Sequence, residues 1–188
     1  MYNAQKSLTL IIGGARSGKS SLAEKMASRH DRVLFVATAQ AGDAEMAERI
    51  AAHKASRPDT WDTLEESLDV AGALARQSGN YDLVLIDCLT VWTANLMLED
   101  ESTIPDYDAA SDALLRAYDE GDTSWVVVTN VVGLGVVPPS ESGRAFRDAL
   151  GRVNTTFARH ADRVISMTAG LALDLKALGA VPWDQLDR

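Results

Sequence analysis

The chain consists of short apolar runs that are separated by longer amphipathic stretches. Five runs rich in β-branched residues predict buried strands at residues 8–13, 32–38, 81–87, 124–130 and 162–168. Their apolar character is nearly continuous and does not alternate, which is typical of parallel strands covered on both faces. A shorter run near the C-terminus, LALDLK, is a candidate edge strand.

The stretches between the runs have the composition and periodicity of helices. We predict helices at residues 19–29, 44–56, 66–77, 107–119 and 142–161. Strands that alternate with helices indicate an α/β fold with a mostly parallel central sheet and helices on both faces. No repeat or linker divides the chain, and 188 residues suit one domain, so we expect a single domain over residues 1–188.

Charge and cysteine content narrow the classes of function. The formal net charge of -9 leaves no basic surplus for a nucleic-acid backbone, so an anionic ligand needs a local cluster of cations. The single cysteine, Cys88, excludes an intramolecular disulfide and a four-cysteine metal site. No apolar run approaches the length of a membrane span and no signal-peptide layout is present, so we expect a cytoplasmic enzyme.

A glycine-rich segment follows the first predicted strand and precedes the first predicted helix. It comprises Gly13, Gly14, Ala15, Arg16, Ser17, Gly18, Lys19 and Ser20, which fits G-x-x-x-x-G-K-[ST]. The glycines let backbone N–H groups turn toward phosphate oxygens, and the helix N-terminus adds positive charge. Lys19 is expected to reach the outer phosphates, and the Ser20 hydroxyl to ligate Mg²⁺. The segment predicts a P-loop NTPase-type fold that binds a nucleoside triphosphate.

A carboxylate ends the third apolar run. Asp87 in LVLID has the layout of the second magnesium ligand of such proteins, because a carboxylate at the C-terminal end of a strand next to the glycine-loop strand points into the ligand crevice. The alternative is that Asp87 caps the helix that follows, CLTVWTANLM. The guanine-reading N-K-x-D motif of switch GTPases is missing, since Thr129-Asn130 is followed by VVG.

One predicted helix carries an unusual face for an acidic protein. Arg49, His53 and Arg57 are spaced i, i+4, i+8 and share one side of the helix. Arginines can hold phosphates, and neighbouring positive charge keeps a histidine neutral and nucleophilic near pH 7. His53 is thus a candidate to form a covalent nucleotidyl-histidine. The alternative is that it is an ordinary surface residue.

Six segments together resemble the bifunctional adenosylcobinamide kinase / adenosylcobinamide-phosphate guanylyltransferase family of cobalamin biosynthesis. They are GGARSGKS, VATAQ, DAEMAERIAAHKASRP followed by WDTLEE, IDCLTVWTANLM, VVTNVVGLGVVP and GRAFRDALGRVN. The resemblance implies two reactions. A nucleoside triphosphate, ATP or GTP, phosphorylates adenosylcobinamide. GTP then donates GMP through a histidine to give adenosylcobinamide-GDP and pyrophosphate.

The resemblance also implies roles for particular residues. The guanylylated histidine of the family falls on His53, and the glycine loop carries the triphosphate. The remaining nucleotide contacts implied are Ala37, Thr38, Ala39, Lys54, Ala55, Ser56, Arg57, Glu65 and Asp87. A carboxylate at Glu65 could accept from guanine N1–H and the N2 amino group. The family further implies a homotrimer.

The chain departs from the family pattern at two positions. Val131 stands where the family usually has the Glu of TNEVG. Thr155 follows Asn154, where the family usually has Gln after this Asn. Two other functions stay open at this point. One is a monofunctional P-loop kinase of a small molecule, in which His53 is incidental. The other is a GTP-binding regulatory protein, against which the missing N-K-x-D motif counts.

Overall fold

The computed structural model describes residues 6–40, 48, 54, 57–77, 79–99 and 104–186. Its strands are β1 (Leu8–Gly13), β2 (Val33–Ala37), β3 (Asp62–Glu65), β4 (Leu83–Asp87), β5 (Ser124–Asn130), β6 (Arg163–Thr168) and β7 (Leu171–Asp174). Its helices are α1 (Lys19–Ala27), α2 (Val70–Ala75), α3 (Leu89–Glu99), α4 (Tyr107–Glu120) and α5 (Glu141–His160), with a 3-10 turn at Trp183–Gln185.

All seven strands belong to one sheet, in the order β3-β2-β4-β5-β1-β6-β7. Strands β1 to β6 pair in parallel, and β7 pairs with β6 in antiparallel fashion. The predicted α/β fold with a mostly parallel sheet is therefore confirmed, as is the short edge strand near the C-terminus. Strand β5 lies between β1 and β4, so the glycine-loop strand and the Asp87 strand are not immediate neighbours.

The sheet separates two apolar cores, and alternate strand residues contribute to opposite cores. On β4, Leu83 and Leu85 pack with Ala23 and Ala27 of α1. On the other face, strand residues such as Ile86 pack against apolar side chains of α2, α3, α4 and α5. Helix α1 therefore defines one face of the sheet, and α2 to α5 define the other.

Helix α5 shows why the second face is stable. Its periodic apolar residues Leu150, Val153 and Phe157 are fully buried, while its opposite side carries arginines. Ser140 caps its N-terminus by accepting from the Gly143 N–H at 3.1 Å, and basic residues occupy its last turn.

Within the described ranges, no helix has both the length and the apolar composition that a membrane span requires.

The predictions missed one strand and made one helix too long, and the helix predicted at residues 44–56 lies almost wholly outside the described residues. Strand β3 was missed because its sequence, DTLE, is polar and mostly exposed at the sheet edge. Helix α2 is shorter than predicted because a turn precedes it. The Glu66 carboxylate accepts from the N–H groups of Leu68 and Asp69, and Asp69 then caps the helix.

Truncation of Phe157 tests the α5 core. We expect Phe157→Ala to lower the free energy of unfolding by about 3–5 kcal/mol, because it leaves a cavity at a fully buried position. Urea denaturation followed by circular dichroism measures this loss. The matched control is Leu178→Ala, since Leu178 is 68% exposed, and its effect should stay within about 0.5 kcal/mol. Equal effects of the two variants would contradict the assigned core.

Candidate active site

The glycine loop joins β1 to α1 at the carboxyl edge of the sheet. Gly18 precedes α1 with a φ of 93°, a backbone conformation that glycine adopts without strain. Gly13 allows a close approach between strands, because a Cβ there would lie 2.3 Å from the Met167 carbonyl oxygen. The loop is further braced by the β6–β7 turn, where the Gly170 N–H donates to the Ser17 carbonyl at 3.2 Å.

Lys19 lies inside this loop and is only 7% exposed. Its Nζ donates to the Gly14 carbonyl at 2.6 Å, so the ammonium is held against the loop backbone. Burial lowers the pKa of Lys19, and the nearby Asp87 carboxylate opposes that shift. The Ser17 hydroxyl is also buried and has no hydrogen-bond partner among the described residues. A buried ammonium and an unsatisfied hydroxyl fit a loop that receives an anion.

The ends of the central strands bring further side chains to this edge. Gly13, Ala37 and Asp87 are the last residues of β1, β2 and β4, and strand alternation puts all three on the α1 face. The expectation that Asp87 ends the strand next to β1 needs correction, since β5 intervenes. Asp87 nevertheless lies near enough to Lys19 to influence its pKa.

A polar clamp joins the ends of β2 and β4. The Thr38 hydroxyl donates to the Cys88 carbonyl at 2.8 Å and accepts from the Cys88 N–H at 2.9 Å. Asn95 on α3 donates to the carbonyls of Thr38 and Ser67 at 2.8 and 3.2 Å. The Thr38 hydroxyl is fully buried and serves this clamp, whereas the neighbouring Ala39 is partly exposed. Sequence reasoning did not identify Asn95, whose partners are distant along the chain.

Arg57 lies over β2 on this face. Its guanidinium stacks on the Phe35 ring, with 3.4 Å between Cζ and the ring centroid. Burial lowers the pKa of Arg57, and the carboxylates of Glu24, Asp87 and Glu65 oppose that shift. The Arg57 Nε is buried without a hydrogen-bond partner among the described residues. A cation thus stands near Asp87, on the same face as Lys19.

Lys54 and Glu65 pair with each other at the outer edge of the sheet. Lys54 Nζ lies 3.0 Å from Glu65 Oε1, and both side chains are more than half exposed, so the pair contributes little stability. Glu65 is the last residue of β3. In the sheet, β3 lies four strand spacings, about 19 Å, from β1. The structure therefore brings Asp87 close to Lys19, places Arg57 within electrostatic reach of both Asp87 and Glu65, and leaves the Lys54–Glu65 pair at the outer end of the same edge.

Three candidate residues, His53, Ala55 and Ser56, lie outside the described residues, as does Arg49. For a metal ion, the described residues contain no group of three or more His, Cys, Asp or Glu side chains suited to bind one. The two oxygen donors that the sequence predicts for Mg²⁺ are Ser20, in the first turn of α1, and Asp87, at the end of β4. Such a set fits Mg²⁺ that arrives with substrate phosphates and keeps several waters.

Three features define a P-loop nucleotide-binding protein. They are a glycine loop after β1, a lysine at the N-terminus of α1, and a carboxylate at the end of β4, which β5 separates from β1. Solved structures agree on the fold. An ATPase of a bacterial type III secretion system superimposes with a TM-score of 0.55 at 14% identity, over 96% of this chain and 60% of that chain. A Pyrococcus horikoshii OT3 protein, PH0250, superimposes with a TM-score of 0.53 at 6% identity, over 90% of this chain and 85% of that chain.

The sequence comparisons are more specific. The family described as cobinamide kinase / cobinamide phosphate guanyltransferase matches residues 9–175. Bifunctional adenosylcobalamin biosynthesis protein CobP of Pseudomonas aeruginosa is 44% identical over 168 residues, covering 89% of this chain and 96% of the relative. CobU proteins of the same description from Escherichia coli and Salmonella typhimurium are 35% and 36% identical, each covering 90% of this chain and 99% of the relative.

The chain belongs to the cobinamide kinase / cobinamide phosphate guanyltransferase family. The resemblance inferred from six sequence segments is confirmed, and so is the enzyme class of kinase and guanyltransferase that it implied.

The reactivity of the Cys88 thiol provides a test of how the chain packs directly after β4. Burial, together with the Asp87 charge, raises the pKa of the Cys88 thiol to about 11, so the thiol stays protonated until the pH approaches that value. A free cysteine has a pKa of about 8.5, so we expect alkylation by iodoacetamide at pH 8 to be at least about 100-fold slower than in urea-unfolded protein. Mass spectrometry over time measures both rates. Similar rates in the two samples would contradict the burial of this thiol.

Proposed function

We propose that this protein is a bifunctional enzyme of cobalamin biosynthesis. It phosphorylates adenosylcobinamide with a nucleoside triphosphate and then transfers GMP from GTP, giving adenosylcobinamide-GDP. The observation that carries the proposal is the loop with buried Lys19, facing Asp87, in a chain that matches the family over residues 9–175. The relatives are bifunctional adenosylcobalamin biosynthesis proteins, which supports both halves of it.

The kinase step takes place at the glycine loop. The acceptor hydroxyl oxygen bonds to the γ-phosphorus, the bond to the β,γ-bridging oxygen breaks, and the hydroxyl proton is released. Lys19 and the loop N–H groups bind and orient the outer phosphates, and their charge stabilises the transition state. Ser20 and Asp87 are the residues that would hold Mg²⁺, which neutralises phosphate charge when bound. Positioning and electrostatics thus account for this step.

GMP transfer is proposed to pass through His53. An imidazole nitrogen bonds to the α-phosphorus of GTP, and pyrophosphate leaves. A phosphate oxygen of adenosylcobinamide phosphate then attacks the same phosphorus, and the P–N bond breaks. The next residue, Lys54, pairs with Glu65 at the outer edge of the sheet, and that carboxylate would read guanine donors once the lysine is displaced.

The other described residues proposed to contact the nucleotide lie along the carboxyl edge of the sheet, between the glycine loop and the Lys54–Glu65 pair. Arg57 lies between them and is proposed to bind phosphate with its guanidinium. Ala37, Thr38 and Ala39 would line the nucleotide crevice through their backbone, since the Thr38 hydroxyl is already bonded to Cys88. Ala55 and Ser56 are proposed to contact the same nucleotide. The single-domain organisation, cytoplasmic location and homotrimeric assembly expected from the sequence remain predictions.

His53→Ala separates the bifunctional enzyme from a monofunctional kinase. We expect this variant to lose GMP transfer and the GMP adduct and to keep most of the kinase activity, because phosphoryl transfer at the loop needs no histidine nucleophile. Both partial reactions are assayed on one preparation, together with the mass of the denatured protein after incubation with GTP and Mg²⁺. His53→Asn controls for polarity without a nucleophilic nitrogen. Undiminished GMP transfer in His53→Ala would rule out the covalent mechanism.

Lys19→Ala tests whether one triphosphate site serves both reactions. Loss of the buried ammonium should reduce phosphoryl transfer by about 10²–10³-fold, as for other preorganised charges at a transition state. A parallel loss of GMP transfer would show a shared site. Lys25→Ala, on the exposed side of α1, is the matched control and should leave both rates unchanged. Kinase activity near the wild-type level in Lys19→Ala would contradict the assigned loop.

A further inference from the structure

Asn130 is the last residue of β5, the strand between the glycine loop and Asp87. In the register of the sheet, Asn130 pairs with Gly13, the first residue of the loop. On the other side, Asp87 pairs with Val128, two residues before Asn130. Asn130 therefore stands beside the loop and extends past the carboxylate proposed to bind Mg²⁺, at the edge where the phosphates would lie.

Strand alternation decides where the Asn130 side chain lies. Val126 and Val128 belong to the core on the α1 face, whereas Trp125 and Val127 belong to the opposite core. Asn130 continues the first series, so its side chain is on the α1 face with Lys19 and Asp87. It is partly buried there.

The backbone at Asn130 is fixed by side chains from two helices. The Asn130 N–H donates to Thr90 Oγ1 at 2.7 Å, and its carbonyl accepts from Asn154 Nδ2 at 2.9 Å. Asn154 Oδ1 in turn accepts from the Thr129 hydroxyl at 2.6 Å. The next N–H, of Val131, donates to the Gly13 carbonyl at 3.1 Å. The end of β5 is thereby locked to α3, α5 and the glycine loop.

Three hydrogen bonds hold the backbone at Asn130 and Val131, and a fourth, between side chains, joins Thr129 to Asn154. The hydrogen bonds found among the described residues include none to the Asn130 side-chain amide. A primary amide offers two donors and two acceptor lone pairs, and it carries no charge that would repel a triphosphate. Precise placement of an unused amide beside a phosphate loop is typical of a ligand contact.

We propose that Asn130 is a further nucleotide contact, whose Nδ2 donates a hydrogen bond to an oxygen of the terminal phosphate. This inference rests on the proposed kinase function. Lys19 and bound Mg²⁺ engage the outer phosphates, and Asn130 lies on the side of the loop that faces Asp87. The terminal phosphate, and not the α-phosphate, is then its partner. Thr90 and Asn154 act through it as positioning residues.

The test compares a non-hydrolysable GTP analogue with a β,γ-imido bridge against GDP, by isothermal titration with Mg²⁺. Asn130→Ala should weaken binding of the analogue by about tenfold, the value of one hydrogen bond to a charged group, and leave GDP affinity within twofold. Asn130→Asp keeps the shape and backbone contacts and should weaken the analogue further, because its carboxylate repels the terminal phosphate.

Thr168→Ala is the matched control. Thr168 ends β6 at the same edge of the sheet and is exposed, so both affinities should stay unchanged. Equal losses for the analogue and GDP in the Asn130 variants, or wild-type binding of both, would overturn the proposal. If Asn130→Ala does not fold, Asn130→Asp still tests the proposal. Wild-type affinity of the Asp variant for the analogue would overturn the proposal equally. The titrations use nucleotides only and no adenosylcobinamide. A failure of this proposal is therefore distinguishable from a failure of the proposed kinase function, which would appear as no phosphorylation of adenosylcobinamide.

Discussion

The candidate site depends on the parallel alignment of four central strands whose last residues reach one edge. Gly13, Asn130, Asp87 and Ala37 end β1, β5, β4 and β2, and all four occupy the α1 face. Parallel pairing makes this possible, because it places the carboxyl ends of consecutive strands side by side. Polar side chains then hold the ends in place, Thr38 between β2 and β4 and Asn154 at β5.

Electrostatics at this edge differ from those of the chain as a whole. The protein carries a net charge of -9, yet Lys19 and Arg57 are both drawn partly out of solvent on the α1 face. Burial alone disfavours their charged forms, and the carboxylates of Asp87, Glu24 and Glu65 offset that cost. A bound triphosphate brings negative charge to the same cations. The local charge pattern, not the overall composition, therefore makes an anion site possible in an acidic protein.

The sequence predicted features whose physical cause is local. The β1, β4 and β5 runs are apolar enough to specify buried strands, and the glycine loop follows from the fixed spacing of Gly13, Gly18 and Lys19. Prediction failed where tertiary contacts outweigh local preference. Strand β3 is polar and forms because β2 offers an edge, while α2 is shortened by the Glu66 side chain. An exposed edge strand needs no apolar pattern, so its sequence carries little signal.

By itself, then, the sequence determined the family, the phosphate-binding loop and the mostly parallel α/β class, since each rests on residue types at short, fixed spacings. Only the tertiary structure decided the strand order. That order inserts β5 between the loop and Asp87, sets Asn130 beside Gly13, and moves the Lys54–Glu65 pair to the far end of the edge. Strand order depends on which of several similar apolar strands pair across distances of tens of residues. Such pairing energies belong to the packed sheet and leave no local pattern in the chain.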